Sequence, residues 1–169
     1  LSESRYPTTW TFQLDERTTR MSLVPTSSSQ PPVPATPPAI RELISTFPAS
    51  SSTPSDVVAL LDVSGDLLEA SVIHYEFAAL AVEKALQALE LAMRFKVDQS
   101  PTAGMSRLIE SLRKGYSLRP ELDEFLRDML RLRNKWVGHP RGAVTYPMVS
   151  AVSFLRHIYA GVVEISDLS

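Results

Sequence analysis

The 169-residue chain contains no cysteine, which removes several chemistries together. A disulfide scaffold, a thiolate zinc site and a cysteine nucleophile are all excluded. The lack of thiols also fits a reducing compartment, and a cytoplasmic location is expected. No run of about 18 apolar residues is free of charge, so no membrane-spanning helix is expected. The opening residues, LSESRYPTTW, lack the basic start and apolar stretch of a signal peptide. They open on Leu1 rather than Met, as a piece of a longer protein would. Neither sign of charge dominates: 17 basic against 19 acidic residues give a net charge of -2. That excludes a globally basic nucleic-acid coat and leaves room for a local basic patch.

What is present is unevenly spread. Nine of the 13 prolines fall before residue 55, and all six glycines fall after it. Between Pro25 and Ser55, 20 of 31 residues are Ser, Thr or Pro, and only Arg41 and Glu42 are charged. Such a segment buries too little apolar surface to offset its ordering entropy, and its prolines favour extended geometry. It reads as a linker over residues 25–55, interrupted by Ile40 to Phe47, a turn or two of helix or a docking peptide. Ahead of it lies an N-terminal arm, residues 1–24. There Trp10, Phe12 and Leu14 alternate with polar residues, as do Met21 and Leu23. This is either a short β-hairpin turning at residues 15–18 or a disordered arm, since two strands alone are marginal in water.

From Ser55 onward the period becomes helical. Ser55-Asp56 caps a short helix reaching Val63, and Ser64-Gly65-Asp66 punctuates it. Residues 66–97 hold no Gly or Pro and predict one helix roughly 45 Å long, largely apolar around its circumference and so central in the fold. Its exception is a stripe in steps of seven, Glu69, Glu76, Glu83 and Glu90, flanked by Gln87 and Arg94. That stripe faces either water or a basic surface elsewhere in the fold. A third helix runs from Met105 to Lys114 and stops at Gly115. A fourth starts at Pro120, with acids at its positive end, and stops at Gly138-His139-Pro140. A last one spans about Met148 to Ile165. The expected fold of residues 56–169 is an all-α, up-and-down bundle of four to five helices.

The near-neutral total conceals segregation. Residues 56–98 carry eight acids and three bases; residues 107–141 carry nine bases and five acids. Seven of those nine bases are arginine, whose planar fork suits phosphate. Simple packing of an acidic helix beside a basic one accounts for the segregation equally well.

No HExxH, Walker loop, dinucleotide glycine pattern or Gly-x-Ser-x-Gly elbow occurs, and the three histidines are far apart, so neither a metal nor a cofactor is expected. The remaining candidate is Arg133-Asn134-Lys135-Trp136-Val137-Gly138-His139-Pro140. Six helical steps would set Arg133 and His139 about 240° apart. A helix stop at Gly138 folds His139 back beside the last turn. An imidazole beside a permanent guanidinium moves a proton while the arginine holds a phosphate. Alternatively, the cations merely complement a helix C-terminus.

Arg133-Asn134 followed by His139-Pro140, at the end of a penultimate long helix, resembles the Arg-polar-x(n)-His signature of the HEPN superfamily. The run from Ala81 through Glu83-Lys84-Ala85-Leu86 to Leu89 is similar to that superfamily's early helix, and the leucine-rich approach Leu126 to Leu132 is similar too. The likeness covers about residues 66–165. It implies a metal-independent endoribonuclease site built from Arg133 and His139 and completed across a homodimer. Arg133 would stabilise the strained phosphate, and His139 would assist attack by the ribose 2′-hydroxyl. Asn134 would orient His139 or the phosphate, and Glu83 would position Arg133. Arg131, Lys135 and Arg141 are the candidates for holding RNA beside them. A toxin or antiviral effector is implied. Separately, Trp10, Phe12, Leu14 and the Ile40–Phe47 island of the N-terminal region either engage a protein partner or antitoxin or lie over the chain's own cleft as a restraint. Some HEPN toxins carry a tyrosine two residues beyond the histidine, which an antitoxin modifies; Arg141 stands there, so that control is not implied. The competing expectation is a non-catalytic helical dimerisation domain.

Overall fold

The structure, a computed structural model, describes residues 22–23, 33–97, 102–136 and 148–169. Six helices occur among them: α1 (Pro37–Ser45), α2 (Ser55–Ala70), α3 (Phe77–Val97), α4 (Met105–Gly115), α5 (Pro120–Trp136) and α6 (Met148–Asp167). The fold is all-α, as the helical period requires. The one strand pairing among the described residues is antiparallel and two residues long. It joins β1 (Ser22–Leu23) to β2 (Val33–Pro34), with Ser22 opposite Pro34 and Leu23 opposite Val33. The other half of the expected hairpin, Trp10 to Leu14, lies outside the described residues.

Two expectations change. The second half of the expected linker is packed structure. Pro37 and Pro38 occupy the first two positions of α1, where a missing N–H costs nothing, and the Thr36 side chain accepts from the Ala39 N–H at 3.4 Å. Ile40 is fully buried, Ala35 and Phe47 nearly so, and Phe47 meets Tyr159 edge-on at 5.2 Å between ring centres. Arg41 grips Glu69 with two donors, Nε reaching Oε2 at 2.9 Å. Low overall apolar content concealed a few anchors, each well placed.

The second change is where the long helical stretch breaks. α2 passes straight through Gly65, and the chain reverses at residues 71–76. Gly65 marks a close approach: a Cβ there would stand 3.3 Å from Ile44 Cγ2 and 3.6 Å from the Tyr159 hydroxyl. At the reversal the Ser71 hydroxyl donates to the Leu68 carbonyl at 2.6 Å, competing with continuation of the helix. Folding back also covers apolar surface that a single straight rod would leave in water.

α3 is the central helix. Its buried face, Ala78, Ala81, Val82, Ala85, Leu86, Ala88, Leu89, Ala92 and Met93, packs on α2, α6, α4 and α5. The many alanines let these neighbours approach closely. α4 contributes Met105, Leu108, Ile109 and Leu112, and α6 contributes Leu155, Ile158, Val162 and Ile165. α5 buries Leu122, Leu126 and Met129 and touches α3, α4 and α6. At the far end, Ser50 donates to the Asp167 carboxylate at 2.9 Å, as does Ser52, which ties the turn before α2 to the last helical turn of α6. Among the described residues no helix is long and apolar enough to cross a membrane.

Candidate functional site

The site is set by the register of α5. Leu122, Leu126 and Met129 recur at steps of four and three and are buried; the next position in that stripe is 133. An arginine therefore stands where the pattern calls for an apolar residue, and its guanidinium is directed at α3 instead of at water. There it meets Glu90, whose Oε1 accepts from Arg133 Nε. The Glu90 side chain is only 12% exposed, and that of Arg133 is 37% exposed. A carboxylate so far withdrawn from water needs charged partners, and Glu90 has a second one. Arg94, one turn further along α3, approaches Oε2 at 3.5 Å and is itself 25% exposed. Arg94 also donates to the Ala103 carbonyl at 2.8 Å, which ties the cluster to the segment entering α4.

The other expected site residues on α5 fall elsewhere. Arg131, Asn134 and Lys135 are exposed. Arg131 pairs with Asp128 at 2.7 Å. Asn134 follows Arg133 by one residue and so lies about 100° around the helix from it. Glu83 is half-buried on α3, seven residues and about 10 Å before Glu90. The acidic side chain that reaches Arg133 is Glu90 rather than Glu83. His139 and Arg141 lie outside the described residues.

Glu90 and Arg94 were both visible as members of the stripe in steps of seven. Which glutamate of that stripe reaches α5 depends on where the two helices cross, and spacing along one helix does not encode that. Two more members of the stripe find partners: Glu69 pairs with Arg41, and Glu76 pairs with His74 at 2.7 Å. The basic helices are laced similarly. Asp123 accepts from Arg113 and Arg127, each at 2.5 Å, and Glu164 pairs with Arg119 at 2.6 Å. Much of the segregated charge is thus spent between elements.

An open groove of about 660 Å³ lies between Tyr116, Arg119, Glu164 and Asp167. Arg119 precedes α5 and Arg133 lies in its last turn, a separation of about 20 Å, and the groove holds none of the candidate residues. Among the described residues no group of three or more His, Asp or Glu side chains is placed to hold a metal ion. No family model, curated protein or solved structure matches the chain.

Proposed function

We propose that the protein is a metal-independent endoribonuclease of the HEPN type, acting as a toxin or antiviral effector, with its site shared across a homodimer. The observation that carries this reading is Arg133 itself. An arginine on the core-facing stripe of α5, one turn from the helix end and met by a withdrawn carboxylate, is held in place rather than left to sample solvent. With Asn134 and His139 it stands in the Arg-polar-x(n)-His order of the superfamily signature. In this reading Arg133 binds the scissile phosphate and gains strength as negative charge grows there. His139 takes the proton from the attacking 2′-hydroxyl, leaving a cyclic phosphate on one product. Asn134, Lys135, Arg131 and Arg141 give RNA contacts around the pair.

The test is incubation of single-stranded RNA with the full chain in EDTA. Wild type cuts, whereas Arg133→Ala and His139→Ala each lose at least about a hundredfold in rate, the usual scale for removing an acid–base or charge-stabilising group. Cutting that survives both substitutions overturns the assignment.

A second reading, a non-catalytic helical dimerisation domain, is favoured by one face of α3. Leu80 is 44% and Phe95 53% exposed, with half-buried Leu91 between them on the same side. Sedimentation showing a dimer, together with no RNA binding at low salt, selects this reading over the first. Binding that weakens steeply with salt selects the nuclease.

A further inference from the structure

We propose that Glu90 and Arg94 form a latch on Arg133, in which Glu90 occupies the guanidinium at rest and a phosphate group takes it by displacing Glu90 onto Arg94. This rests on Arg133 being the phosphate-binding residue and extends that reading from the identity of the arginine to what controls it. The geometry points to exchange because the two oxygens of Glu90 serve different helices. Oε1 receives Arg133 from α5, and Oε2 faces Arg94 on α3 itself. Releasing one arginine does not require releasing the other.

Charge decides whether such a release is affordable. A withdrawn carboxylate that loses its only cation is strongly destabilised, and this would normally fix a buried pair permanently. Glu90 avoids that state, since Arg94 remains at i+4 whatever α5 does. The Arg94 contact is 3.5 Å long, well beyond the usual 2.7–2.9 Å of a charge-assisted hydrogen bond, so it has room to tighten as Arg133 leaves. Arg94 is steadied meanwhile by the Ala103 carbonyl. Arg133, for its part, has a side chain 37% exposed, and its guanidinium carries five donors of which Nε is the one on Glu90, so the site is open to an approaching phosphate.

The latch predicts opposite effects from two neighbours of the arginine. The probe is a fluorescent, 2′-O-methylated RNA decamer, which cannot be cut by 2′-hydroxyl attack, titrated by anisotropy at low salt. Glu90→Gln frees Arg133 and tightens binding about tenfold, whereas Arg94→Met leaves Glu90 with Arg133 alone and weakens it by a similar factor. Each substitution also changes net charge by one, which pushes binding in the same directions. Both are therefore repeated with Arg133→Ala, where the latch requires their effects to collapse to less than about twofold. Tighter binding by Glu90→Gln that disappears with Arg133 supports the proposal. Three results overturn it: unchanged or weaker binding by Glu90→Gln, effects that persist without Arg133, or no Arg133-dependent binding at all. Should Glu90→Gln melt early, Glu90→Asp replaces it, with affinity between those of wild type and Arg94→Met counting against the latch. Cleavage enters none of these readouts. A wild type that binds but fails to cut unmodified RNA defeats the nuclease reading and leaves the latch standing.

Discussion

Asp123 shows what one side chain contributes where opposite charges meet. It accepts from Arg113 on α4 and from Arg127 one turn along α5, and so joins two helices through one carboxylate. The Arg113 hydrogen bond, foremost, holds its carboxyl below the usual range, against the opposing effect of partial burial. A carboxyl depressed in the folded state stabilises above its unfolded value of about 3.9, and that contribution is lost as pH falls through the folded value. Asp123→Asn should therefore lower the urea midpoint at pH 7, with the gap to wild type closing towards pH 2. An equal gap at both values would assign the loss to packing instead of charge. At this scale Arg133 was legible as a candidate from residue type and order, and its placement on an apolar stripe adds a reason for its partner. The choice of Glu90 over Glu83 was not legible, because it is a property of the α3–α5 crossing.

Helices meet in this molecule through small residues at fixed points, and Gly161 is the tightest of them. A Cβ on Gly161 would lie 2.7 Å from Phe125 Cζ and closer still to Cε1. α5 and α6 thus touch where one supplies a ring and the other supplies nothing. Gly161→Ala should destabilise by about 1–3 kcal/mol, the usual cost of overpacking, and Phe125→Leu in the same chain should recover part of the loss. Paired thermal melts check both; a neutral Gly161→Ala would mean that the ring has room to swing away. The existence of α4, α5 and α6 followed from period, as did the stop of α4 at Gly115 and the start of α5 at Pro120, whereas the expected stop at Gly138 lies outside the described residues. Gly65 misled because a glycine inside an apolar run reads alike whether it ends a helix or admits a neighbour. The distinguishing information is Ile44, some twenty residues earlier, packed against it.

Across the whole molecule, the packed body extends back into the proline-rich region to about residue 35. Composition predicts the average behaviour of a segment, and Ile40 and Phe47 depart from that average. Since Ile40 is fully buried, Ile40→Ala should cost about 2–5 kcal/mol, whereas Arg41→Ala, at a largely exposed side chain, should cost far less. A chain starting at residue 35 should keep the wild-type melting temperature, and one starting at residue 55 should melt well below it. Equal melting of the two shortened chains would show that α1 adds nothing to the core.

The reversal at residues 71–76 also bears on how quickly the chain reaches this state. α2 and α3 are joined by six residues and form the most extensive helix pair in the structure. Their contacts close short loops at little entropic cost, whereas Phe47, just beyond α1, must meet Tyr159 across more than a hundred residues of chain. The α2–α3 hairpin is thus the natural nucleus, with α1 docking after the barrier. Stopped-flow kinetics should show Leu68→Ala slowing folding, while Ile40→Ala acts almost wholly by speeding unfolding. The reverse pattern would place the nucleus elsewhere. A helix that joins last in folding is also the one whose loss leaves the rest of the barrier crossing intact.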